Sequence, residues 1–180
     1  ITLDTVWPTG SITINNGDAG TTTPSVTLQL TYTDATSGVD QVRYRNFLGS
    51  FGVWEAPSPT KAWTLTPGVG AKNVYYQIRD NVGLITQYND VIVLDISPPT
   101  GSMVINGEAA TTSSVSVTLT LSASDPQSGV SQMRFRNTGG SWSNWETYGT
   151  SKIWNLSSGD GTKTVDAQFK NGAGLDSTTY

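Results

Sequence analysis

The stretch Val115-Ser116-Val117-Thr118-Leu119-Thr120-Leu121-Ser122-Ala123-Ser124 alternates apolar with small polar side chains, the period of a strand that buries one face only. Val26, Leu28, Leu30 and Tyr32 repeat that alternation earlier in the chain. Met133 and Phe135 alternate with Arg134 and Arg136, and Val165, Ala167 and Phe169 alternate with Asp166, Gln168 and Lys170. Two more half-buried strands are predicted there. Between the alternating runs stand Asn16-Gly17-Asp18, Gly139-Gly140 and Gly159-Asp160-Gly161, residues suited to tight turns. No stretch sustains a helical period. The prediction is an all-β chain.

The same pattern occurs twice. The chain lies over itself without a gap, Ile1 on Ile92 and Asn89 on Tyr180, with about 40% of the paired positions identical. Pro8-Thr9-Gly10-Ser11 falls on Pro99-Thr100-Gly101-Ser102, Ser37-Gly38-Val39 on Ser128-Gly129-Val130, and Trp54-Glu55 on Trp145-Glu146. Each copy is expected to hold about seven short antiparallel strands, ordered A, B, C, C′, E, F and G, in a two-sheet sandwich. The copies meet in Leu94-Asp95-Ile96-Ser97-Pro98-Pro99-Thr100-Gly101, where two prolines interrupt a ladder and stiffen a short connector. An extended, rod-like pair is expected.

The phase of the repeat places Ile1-Thr2-Leu3-Asp4 on Ile92-Val93-Leu94-Asp95, the end of a module and not its start. Residues 1–4 are therefore expected to be an end strand of a preceding repeat or a neighbouring subunit, with Ile1 and Leu3 as its inward side chains. Residues 5–95 form the first repeat. Residues 96–180 form a second repeat that lacks its last strand, the counterpart of Val91 to Leu94. A strand resembling Ile1 to Asp4, from a following unit or a second copy, is expected to cover that edge by main-chain pairing.

Leu-Asp-x-x-Pro-Pro at the boundary, Ser122-x-Ser124-Asp125-x-x-Ser128-Gly129-Val130, Met133-Arg134-Phe135, Trp142-Ser143-x-Trp145-Glu146, Lys152-x-Trp154-x-Leu156 and Gly159-Asp160-Gly161-x-Lys163-Thr164-Val165 together resemble bacterial and archaeal immunoglobulin-like repeats. The resemblance covers both copies. It implies two tandem immunoglobulin-like, fibronectin III-like antiparallel β-sandwiches, of the kind strung together in large surface and secreted proteins. The function it implies is a non-catalytic structural repeat of an extracellular or cell-surface fibre, stalk or adhesin in a prokaryote. The partners it implies are copies of itself or adjacent repeats in a longer chain. The alternative reading is a β-sandwich module that binds carbohydrate, such as a cell-surface glycan, or another surface partner.

Composition narrows the chemistry. The 180 residues carry 10 Lys and Arg against 14 Asp and Glu, a net charge of −4, which opposes the phosphates of nucleic acid. Cysteine and histidine are absent, so disulfides, the usual zinc sites, thiol nucleophiles and imidazole bases are excluded. With carboxylates thinly spread, no enzymatic activity is expected, and no organic cofactor. No apolar run approaches the roughly 20 residues of a helical membrane span.

Three sets of residues are candidates for binding. The linker, the B to C loop and the F to G loop meet at one pole of an immunoglobulin-like domain. That gathers Asp4, Asp34 and Asp80 in the first module, and Asp95 and Asp125 in the second, where Asn171 replaces the third carboxylate. Such oxygen-rich poles suit calcium, while the plainer role of each Asp is to cap its own turn. Arg43 and Arg45 recur as Arg134 and Arg136 on the outward face of strand C, either paired with Glu55 or Glu146 across the strands or forming a stripe for an anionic ligand. Trp142 stands beside a glycine-rich turn and is a candidate ligand-facing aromatic. The recurring Trp54 with Trp145, and Trp63 with Trp154, are expected in the cores.

Overall fold

A computed structural model describes residues 3–180. The chain divides into two compact units, Ile1–Asp95 and Ile96–Tyr180. The inter-unit strand expected at Ile1 lies outside the described residues, while Leu3 is 85% exposed.

The first unit is built from β1 (Thr9–Ile14), β2 (Gly20–Thr21), β3 (Ser25–Thr33), β4 (Val39–Asn46), β5 (Thr60–Thr64), β6 (Gly70–Asp80) and β7 (Ile85–Leu94). One sheet is ordered β1-β3-β5 and the other β2-β7-β6-β4, all antiparallel except β2, which runs parallel to β7. The alternation read from the sequence explains the two layers. Val26, Leu28 and Leu30 of β3 face Val42 and Tyr44 of β4, and Val74, Tyr76 and Ile78 of β6, in one buried cluster with Ile12, Ile14, Leu65 and Ile92. Tyr44 and Tyr76 stack at 5.4 Å between ring centres, and burial pushes both phenols well above their ordinary pKa.

The second unit repeats this with β8 (Thr100–Ile105), β9 (Ser116–Ser124), β10 (Val130–Asn137), β11 (Glu146–Thr147), β12 (Ser151–Asn155) and β13 (Val165–Asn171). Its sheets are ordered β8-β9-β12 and β11-β10-β13, around Val117, Leu119, Leu121, Met133, Phe135, Val165, Ala167 and Phe169. The C′ strand of the sequence reading shrinks to the two-residue β11 here, and in the first unit to an isolated bridge between Val42 and Glu55. The all-β tandem sandwich predicted from the sequence is the observed fold.

Gly10 and Gly101 occupy matching places in β1 and β8. A Cβ at Gly10 would strike the Thr31 carbonyl and the Ile78 side chain, and one at Gly101 the Ser122 carbonyl and the Phe169 ring. The first strand thus passes too close to its neighbouring strand and to the opposite layer for any side chain at this position.

The units differ at one edge. In the first, Gly70 to Asn73 of β6 pair with Leu94 to Val91 of β7, and Gly20 and Thr21 of β2 pair with Val93 and Leu94. In the second, no strand is present at the counterparts of Gly70–Asn73 or of β2, and β13 has 7 residues where β6 has 11. Ser177 and Tyr180 still donate their backbone N–H groups to Phe169 and Ala167 of β13, at 2.8 and 3.0 Å. Ala167 returns the bond to the Tyr180 carbonyl at 2.9 Å, and an isolated bridge joins Lys170 to Asp176.

Candidate functional site

The absent ladder leaves a slot. A cavity of about 490 Å³ is lined by Ile105, Ala109, Ala110, Leu156, Thr162 and Lys163, among others. The same place in the first unit is filled by the end of β7, with Ile92 fully buried and Leu94 nearly so. There Ile14 and Leu65 are 1% and 2% exposed, whereas their counterparts Ile105 and Leu156 are only partly buried.

At one end of the first unit, Asp4, Asp34 and Asp80 each bring a carboxylate oxygen within 4.8 Å of the other two. Each also caps its own turn. Asp4 Oδ1 accepts from the Val6 N–H at 2.9 Å, and Asp34 Oδ1 from the N–H groups of Thr36, Ser37 and Gly38 at 3.1, 2.8 and 2.8 Å. Asp80 Oδ1 accepts from Val82 and Leu84 at 3.0 and 2.8 Å. Desolvation raises the Asp34 pKa, but the N–H groups of Gly38, Ser37 and Thr36 with the Ser37 hydroxyl outweigh it and hold the carboxyl below its ordinary value.

The matching loops of the second unit are arranged differently. Asp125 Oδ1 caps its turn through Gln127 and Ser128, and Asn171 Oδ1 accepts from Ala173 and Leu175 at 3.1 and 2.8 Å. The amide Nδ2 of Asn171 then donates to Asp125 Oδ2 at 3.1 Å and to the Ser97 carbonyl at 3.0 Å. Asp95, the last residue of the first unit, is fully buried and donates its backbone N–H to the Thr21 carbonyl.

On the outer face of the β4 and β6 layer, arginines alternate with aromatic rings. Arg43 lies 4.8 Å from the Phe51 ring centre and 4.2 Å from Trp54; Arg45 lies over Phe51 and Tyr75; Arg79 covers Trp54 at 4.7 Å. The second unit repeats the layer, with Arg134 over Trp142 and Trp145, Arg136 over Trp142 at 4.4 Å, and Lys170 over Trp145. Trp54 and Trp145 are thus not core residues as their recurrence suggested. They are half-buried plates, each with two cations within 5 Å of its ring centre, each contact contributing about 0.5–1 kcal/mol. The signal was present in the spacing Phe51-x-x-Trp54 and Trp142-x-x-Trp145, aromatic in both copies beside a strand whose outward positions are arginines. Trp63 and Trp154 do pack on the cores, each donating its indole N–H to an asparagine, Asn46 or Asn137.

The arginines do not pair with Glu55 or Glu146, which bind Lys61 and Lys152 instead. Arg43 and Arg134 donate to Gln77 and Gln168, Arg79 to Asp40, and Arg136 to Asp166 at 2.7 Å.

A second cavity, about 580 Å³, lies in the first unit and was not foreseen from the sequence. Tyr44, Glu55, Lys61 and Trp63 line it, with Phe47, Leu48 and Val53 also contributing. Phe47, Leu48 and Val53 are 55%, 85% and 84% exposed, and the Tyr44 hydroxyl is closed off from solvent without a partner. Leu48 adopts a φ of 61° where its counterpart Gly139 has 83°, a left-handed conformation that costs a branched side chain more than glycine.

No protein-family model matches the chain, and no curated protein sequence matches it. Among solved structures, it is similar to the fibronectin(III)-like modules of Clostridium thermocellum CbhA, at a TM-score of 0.57 and 18% identity, over 94% of this chain and 90% of that one. It is also similar to a carbohydrate-binding module of the β-sandwich superfamily, at a TM-score of 0.45 and 14% identity over 91% and 85%. A third similarity is to latent PorU from Porphyromonas gingivalis, at 0.42 and 12% over 100% of this chain and 20% of that one. The first of these likenesses places the chain among fibronectin III-like sandwiches by fold.

Proposed function

We propose that this chain is a non-catalytic structural repeat of an extracellular prokaryotic fibre, stalk or adhesin, a member of the immunoglobulin-like repeats its motifs resemble, and that its units join head to tail through strand complementation. The observation that carries this reading is the slot at Ile105, Leu156 and Thr162, whose twin in the first unit holds Ile92 and Leu94. The occupant is an Ile-x-Leu-Asp strand of the sequence found at Ile1 to Asp4. Main-chain pairing supplies affinity, and the alternate apolar side chains supply register. Repetition of a heterologous contact of this kind builds a filament.

The test is to extend the chain after Tyr180 by the Asp90 to Leu94 sequence, so that the second unit fills its own slot. The extension is expected to raise the melting temperature of the second unit and, if a second copy is the natural donor, to abolish self-assembly in analytical ultracentrifugation. A donor supplied by a following repeat gives the stabilisation with no assembly in the unextended chain. An extension that changes neither stability nor assembly overturns the reading.

A second reading, binding of carbohydrate or of another surface partner, is favoured by the first-unit cavity. Its rim is apolar at Phe47, Leu48 and Val53, where the second unit has Thr138, Gly139 and Asn144, and a strained exposed residue is a common mark of a contact site.

A further inference from the structure

The three aspartates of the first unit have one oxygen committed and one left over. Asp4, Asp34 and Asp80 all have an Oδ2 that is shut off from solvent and has no hydrogen-bond partner. Asp80 as a whole is 1% exposed. Leaving one buried carboxylate oxygen without a donor is costly, and three carboxylates with oxygens within 4.8 Å of one another add mutual repulsion. Among the described residues, the ion pairs of Lys and Arg go to Glu55, Asp40, Asp176, Asp166 and Glu146, and to none of these three.

The second unit solves the same problem with an amide. Asn171 stands where Asp80 stands, keeps the identical turn-capping bonds through Oδ1, and turns an N–H donor toward Asp125 Oδ2, the counterpart of Asp34, and toward the Ser97 carbonyl. An ionised Asp in that place offers only acceptors. What the first unit lacks at this point is a positive centre that can face several oxygens at once.

We propose that Asp4, Asp34 and Asp80 form a calcium site in the first unit. Calcium takes six to eight oxygens at about 2.3–2.6 Å, so any two of its ligand oxygens lie within about 5 Å of each other, a limit that the three carboxylates meet. Three carboxylates leave the remaining positions to backbone carbonyls and water. Magnesium fits less well, since it demands a tighter octahedron and gives up its water reluctantly. The site goes beyond the structural role proposed above, because it concerns the folding of the first unit alone. It also assigns Asp4 a separate task from Leu3. The ion ties the incoming chain to the loops that follow β3 and β6.

Calcium chloride titrated calorimetrically into the full 180-residue protein, with melting measured in EDTA, calcium and magnesium, tests this. The wild type is expected to bind calcium with a measurable heat and to gain about 5 °C or more in the transition of its first unit at saturating calcium. Magnesium is expected to give a clearly smaller shift. Asp80→Asn copies Asn171 and is expected to fold in EDTA, to bind calcium at least tenfold more weakly, and to melt at the same temperature with or without the ion. Asp34→Asn provides a second variant with the same expected loss of binding. A wild type with no calcium heat and no shift overturns the site, as does wild-type affinity in both variants; an equal shift with magnesium overturns the assignment to calcium.

Discussion

Asn171 Nδ2 donates to Asp125 Oδ2 across 3.1 Å in the second unit, whereas the residues in the same two places of the first unit, Asp80 and Asp34, are both carboxylates. The single exchange of amide for carboxylate therefore separates a pole closed by a hydrogen bond from one whose carboxylates each keep an Oδ2 without a donor. Asn171→Asp is expected to cost the second unit about 2–3 kcal/mol in EDTA, since a 1% exposed side chain loses both Nδ2 bonds and gains a charge beside Asp125. Chemical denaturation in EDTA and in calcium reads this directly. Equal stability of the variant and the wild type in EDTA would show that the amide bonds carry no weight.

The outer plates and the inner tryptophans are expected to behave differently. Trp145→Ala removes a ring that meets both Arg134 and Lys170 and is expected to cost about 1–2 kcal/mol, reduced at high salt. Trp154→Ala removes packing on Phe135, with ring centres 5.8 Å apart, and is expected to cost about 3 kcal/mol with little salt dependence. Urea denaturation at low and high salt distinguishes the two; a larger loss at Trp145 would return that residue to the core.

Acid stability is expected to depend on Asp166. The Thr138 hydroxyl donates to its Oδ1 at 2.7 Å, and Arg136 donates to its Oδ2 at 2.7 Å. These bonds hold its carboxyl below the ordinary value despite desolvation. A depressed folded-state pKa stabilises above the unfolded value of about 4, and that stabilisation disappears as pH falls through the lower folded value. Asp166→Asn should thus be less stable than the wild type at pH 7, with the gap closing below about pH 4. A gap that is constant from pH 7 down to pH 2 would dissociate Asp166 from the acid limb.

Leu48→Gly places in the first unit the residue the second unit has at Gly139. Relief of the left-handed strain is expected to raise stability by about 0.5–1 kcal/mol, part of the gain being offset by the freedom of glycine in the unfolded chain. Thermal unfolding measures it. A loss of stability would mean that the exposed leucine is held by packing, and the strain argument would fail.

The alternation of Val117, Leu119 and Leu121, and of Met133 and Phe135, was enough to identify strands, faces and core, because a strand's period of two converts directly into burial. The tandem repeat was equally legible, as was the gathering of aspartates at the ends of specific strands. Other features are decided only when the layers are assembled. Trp54 and Trp63 recur with equal regularity in the sequence, yet one lies against two guanidinium groups on the outer face and the other packs on Tyr44, since a residue beside a short, irregular C′ segment has no period to declare its face. The leftover Oδ2 atoms are likewise invisible in one dimension. Turn capping satisfies one oxygen of Asp4, Asp34 and Asp80 locally, and whether the other finds a donor depends on what loops far apart in sequence bring to it. The slot at Ile105 and Leu156 follows the same logic, since only the assembled second unit shows the cavity that Thr162 and Lys163 bound with them.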